Sequence, residues 1–136
     1  MRAVTIHDKK AMPGGGGVLA FDLADLLQLS KHVLSSTWVC KHVECMGELA
    51  SDLHGLSDSG LPVNGSELLR LASNVYQVID GDFVATLPCE QYPWLIIRAI
   101  DSSEYVVATN DDDFLEKVRE RFKDVRDSPD DAGYVA

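Results

Sequence analysis

A chain of 136 residues with 46% hydrophobic side chains and a formal net charge of -10 can bury one core and leaves little room for a second. That charge repels phosphate backbones and anionic lipid surfaces, so nucleic acid and membranes are excluded as expected partners, and a basic protein is expected instead. Three cysteines, at 40, 45 and 89 with no C-x-x-C pair, exclude a disulfide framework and a zinc knuckle.

In chain order, residues 2–7 alternate weakly through Val4 and Ile6 and predict at most an edge strand. They lack an apolar signal region, and no apolar run reaches the roughly 18 residues of a membrane span. The expected compartment is therefore the cytoplasm, with reduced thiols. Pro13 and the glycines that follow read as a linker, so residues 1–17 form an N-terminal segment ahead of one domain over 18–126. Asp22 to Val33 reads as a helix carrying Leu23, Leu26 and Leu27, with Asp22 and Asp25 at the positive end of its dipole. Ser35-Ser36-Thr37 opens a second helix, expected to run to about Leu56 on the stripe Val39, Val43, Met46, Ala50 and Leu53. A third, capped by Asn64 or Ser66, is expected from Ser66 to about Gln77.

Beyond this point the pattern becomes strand-like. Phe83–Thr86, Trp94–Ile100 and Tyr105–Thr109 predict a three-strand antiparallel meander, and Asn110 with Asp111 to Asp113 opens a last helix that reaches about Val125. Asp80-Gly81 also suits a hairpin turn, which would turn Val75–Ile79 into a fourth strand. Residues 127–136 read as a disordered acidic tail. The predicted fold class is α+β, with three N-terminal helices, the meander and a C-terminal helix, all helices packed on one sheet face.

The register of the meander carries the leading functional expectation. A four-residue turn at 101–104 places Leu95, Ile97, Ala99, Val106 and Ala108 on a wholly apolar face. Trp94, Ile96, Arg98, Tyr105 and Val107 then share the other face, where Trp, Tyr and Arg supply the residue types of binding hot spots. These five are the expected partner-binding residues. The lone charge of Arg98 within an apolar strand requires a counter-ion, for which Asp80, Asp82 or Glu104 are at hand.

Other groupings point to chemistry less directly. His42 and Cys45 stand three apart on the expected second helix, a spacing that could pair a thiol with a base or supply two metal ligands. Asp80 and Asp82 could act as general acid and base, yet neither they nor Asn110–Asp113 match a calcium loop. The glycine run lacks the Lys-Ser or Lys-Thr of a phosphate-binding loop. No cofactor or metal is expected. The sequence reads as a non-catalytic protein-binding domain, of the physical type of an acidic inhibitor or immunity protein that acts on a basic partner. The alternatives are a small hydrolytic or metal-dependent enzyme using Asp80, Asp82, His42 or Cys45, and a homo-oligomer whose sheet face is its own interface.

Overall fold

A computed structural model describes residues 1–15 and 17–128. Its strands are β1 (Arg2–Ile6), β2 (Lys9–Ala11), β3 (Gly17–Leu19), β4 (Thr37–Met46), β5 (Val63–Asn64), β6 (Gln77–Thr86), β7 (Leu95–Ile100), β8 (Glu104–Thr109) and β9 (Val125–Ser128). The helices are α1 (Leu23–Leu27), α2 (Lys31–Ser35), α3 (Ala50–Ser59), α4 (Gly65–Ala72) and α5 (Asp112–Arg121). One antiparallel sheet runs β5-β4-β6-β7-β8-β1-β9, and β2 with β3 forms a separate hairpin. The expected three helices and three-strand meander are thus replaced by five helices and a seven-strand sheet among the described residues, while the α+β class stands.

The largest correction concerns residues 37–46, expected as helix and found as the long strand β4. A β-bulge explains the misleading pattern. Lys41 pairs with Asp82 and Glu44 with Asp80, so one strand advances three residues while the other advances two. His42 sits at the bulge with a left-handed φ of 55°. The inward positions become Trp38, Cys40, Val43 and Cys45, whose two-three-two spacing imitates a helical stripe. The outer edge of β4 is closed by α3: Val43 N–H donates to Ser57 Oγ at 3.0 Å and Cys45 N–H to His54 Nε2 at 3.1 Å.

Four further segments depart from expectation. β1 is an interior strand between β8 and β9, so Val4 and Ile6 enter the core. The expected linker is the tip of the β2–β3 hairpin, where Gly14 and Gly15 take φ of 90° and 98°, values that L side chains adopt only under strain. The hairpin's base is tied down by Asp8, whose carboxylate accepts from the N–H groups of Lys123 and Asp124. Asp80 and Gly81 lie within continuous β6 and form no hairpin turn. At the other end, Asp127 and Ser128 belong to β9, and the remainder of the expected tail, 129–136, lies outside the described residues.

The expected single helix over 22–33 is two short ones. Asp22 caps α1 through a reciprocal capping box with Asp25, and Ser30 caps α2. Leu23, Leu26, Leu27, Val33, Leu53, Leu68, Phe114 and Val118 cover one sheet face with the inward side chains of the strands. A smaller cluster of Ala3, Ile96, Val106 and Ala108 lies on the opposite face and includes no residue from any helix.

Candidate binding surfaces

The expected sheet interface is taken apart by a one-residue change of register. The turn between β7 and β8 holds three residues, with Asp101 and Ser102 both at left-handed φ. Ala99 therefore faces Tyr105, Arg98 faces Val106 and Ile97 faces Val107. Because side chains alternate, this step moves every β8 side chain to the other face. Tyr105 and Val107 enter the helix-covered core with no exposure at all. Trp94 precedes β7 and packs beside the core, where its Nε1–H donates to Ser36 Oγ at 2.8 Å and its ring meets Phe114 edge-on. Ile96 and Arg98 alone remain on the opposite face, and Ile96 is buried there. The five expected residues do not form one surface.

Arg98 finds its counter-ion in Asp82, with Nε donating to Oδ1 at 3.0 Å. The exposed His42 ring approaches the second oxygen of Asp82 at 3.4 Å. The bulge turns the His42 side chain outward and that of Cys45 inward, so the thiol–imidazole pair of the alternative enzyme reading is not formed. The Cys45 thiol instead lies 3.8 Å from the Ala50 carbonyl, and burial holds it in the neutral form with help from Asp22 and Glu44. Burial likewise pushes the Cys40 thiol up to about 12. Asp80 accepts the Asp101 N–H at 2.8 Å and secures the turn, which separates its role from that of Asp82. Among the described residues, no group of three His, Cys, Asp or Glu is placed to hold a metal ion.

Sequence patterns did not single out one concavity of the described residues. A cleft of about 350 Å³ opens between the β2–β3 hairpin, the start of α1 and the start of β6. Val18, Leu19, Phe21 and Val78 give it apolar walls, and Asp22 and Asp25 supply carboxylates. Asp22 is the structural hinge of the site. Its Oδ1 accepts the Tyr105 hydroxyl at 2.5 Å and the Leu23 N–H at 2.9 Å, and its Oδ2 accepts the Val78 N–H at 3.2 Å. Burial raises the Asp22 carboxyl above the usual range despite those three donors, and the neighbouring Asp25 adds to the rise. The same burial, together with Asp22, drives the Tyr105 hydroxyl well above its ordinary value. Asp25 Oδ2 accepts the Asp22 N–H at 2.9 Å, while its Oδ1 lies 3.7 Å from Arg121, too far for a hydrogen bond.

Some of the exposed large apolar groups lie at or near the cleft, while Leu34, Leu61 and Tyr92 are exposed elsewhere. Tyr76 is 80% exposed, Met12 44% and Met46 46%. Tyr76 and Met12 border the cleft, and Tyr76 N–H donates to the Met46 carbonyl, which brings Met46 beside them. The approach is close enough that a Cβ on Gly47 would fall 2.2 Å from the Tyr76 nitrogen. Lys10 stands at the mouth. The titratable groups of the lining are Lys10, Asp22, Asp25 and Tyr76. At helical spacing Tyr76 continues the stripe of Leu68, Leu71, Ala72 and Val75, so no short-range pattern set it apart as a surface residue.

No helix among the described residues is long and apolar enough to cross a membrane. No family model matches the chain, and neither the curated proteins nor the solved structures include a significant match to it.

Proposed function

We propose that this is a non-catalytic protein-binding domain whose contact surface is the corner formed by Met12, Met46 and Tyr76 over the hairpin cleft. The observation that supports the reading is the exposure of Tyr76 and Met12 on the cleft, with the exposed Met46 joined to Tyr76 through the backbone. A tyrosine left 80% exposed on a folded surface gains nothing from burial within its own chain, whereas it suits the anchor role that tyrosine fills at interfaces. Methionine adapts its shape to a partner at little cost, which suits the same role. The net charge of -10 and the carboxylates in the cleft favour a basic protein over a second copy of this chain, because two copies repel.

The test is cross-linking in cells that make the protein, followed by reconstitution with the purified basic partner and titration calorimetry. Tyr76→Ala is expected to weaken that complex by about 2 kcal/mol or more, as removal of a central aromatic anchor does. Association should also slow as salt rises. A complex unaffected by both Tyr76→Ala and Met12→Glu would refute the assignment of the surface. So would sedimentation showing that the chain self-associates through this corner.

A further inference from the structure

We infer that the cleft beneath the β2–β3 hairpin is a receptor for one arginine side chain of the partner. The inference rests on the binding reading above and adds what the surface selects. The cleft of about 350 Å³ is at the small end of ligand-sized sites, room for one long side chain and little more. Its walls, Val18, Leu19, Phe21 and Val78, suit a methylene stem, and its polar groups suit a guanidinium head. Asp25 Oδ1 lies 3.7 Å from Arg121, beyond hydrogen-bond distance, with both side chains partly in solvent, so an acceptor for a charge-assisted bond is at hand. Asp22 lines the same cleft with a second carboxyl, held in place by its bonds to Tyr105, Leu23 and Val78. Tyr76 at the rim offers a ring face to a passing cation.

Lys10 at the mouth opposes any cation and gives the proposal a signature of opposite sign. Removing its ammonium should tighten binding, and neutralising Asp25 should weaken it. A cleft that merely collects apolar groups would respond to neither change.

The experiment is an amide-resolved NMR titration of the whole chain with N-acetyl-arginine N-methylamide, with the leucine and glutamate analogues as controls. Saturable shifts are expected at Val18, Phe21, Gln77 and Val78 for the arginine probe alone. Asp25→Asn, which keeps an oxygen for the Asp22 N–H, should weaken binding by about fivefold or more, and Lys10→Ala should strengthen it. The spectrum of each variant reports its fold directly. Lack of saturable shifts, an equal response to the leucine or glutamate analogue, or indifference to Asp25→Asn would each overturn the inference. The probe requires no partner, so the two readings fail separately. If Tyr76→Ala disrupts the partner complex while arginine leaves the cleft untouched, the surface stands and the arginine receptor falls.

Discussion

Tyr105→Phe isolates one hydroxyl in the core. The ring stays, so no cavity opens, and its tilted contact with Phe21 at 5.2 Å is kept. What disappears is the donor to Asp22 Oδ1 at 2.5 Å. Asp22, half-buried, then keeps the Leu23 and Val78 N–H groups. A hydrogen bond to a charged group contributes about 1.5–3 kcal/mol, so a loss of about 2 kcal/mol is expected at neutral pH. The pH dependence has a definite sign. The folded Asp22 carboxyl titrates above its ordinary value of 3.8, so the protonated form favours folding. That contribution is present below 3.8 and is lost as pH rises through the folded value. Without the hydroxyl the folded value rises further, and the variant should lose more stability over the same range. Urea unfolding at about pH 4 and pH 7 measures both quantities, with unchanged m reporting that the unfolded state is the same. A loss below about 0.5 kcal/mol at neutral pH, or one equal at both pH values, would refute the account of Asp22 as a half-buried charge held by this hydroxyl.

Other outcomes follow from the same geometry. Tyr105→Ala should cost about 3–5 kcal/mol in urea unfolding, as deleting a fully buried aromatic does, which places its effect on folding and not on a partner. Gly47→Ala should destabilise by more than 1 kcal/mol or so, because φ is 129° and the new methyl meets the Tyr76 backbone. Gly55→Ala should instead stabilise by about 0.5–1 kcal/mol, since Gly55 lies inside α3 with open space around its Cα, and thermal melts should separate the two variants. A disulfide reagent should label Cys89 alone in the native protein, because Cys40 and Cys45 are buried and their thiols are held neutral; fast labelling of a second cysteine would contradict that burial.

The sequence by itself determined what local chemistry and alternation control. The apolar run up to Ile100, the capping residues around Asn64 and the acidic start at 110–113 mark where β7, α4 and α5 lie, but both helices stop at Ala72 and Arg121, short of their expected ends at Gln77 and Val125. It also pointed to Asp82 among the counter-ions for Arg98, because a charge inside a sheet needs a partner within reach of its strand. Tertiary structure alone decided the rest. The helical stripe in Thr37–Met46 came from a bulge at His42, and a bulge is fixed by the strand alongside, not by the residues that form it. The faces of β8 turned on a three-residue loop in place of a four-residue one, settled partly by contacts of Asp101 and Ser102 with Asp80 and Ile79 far back in the chain. The hairpin cleft combines residues 10–25 with 76–78, and only the packing of α1 against β6, joined through Asp22 and Val78, makes them neighbours. A short-range pattern records which residues prefer burial; which distant segment buries them depends on contacts that no window of sequence contains.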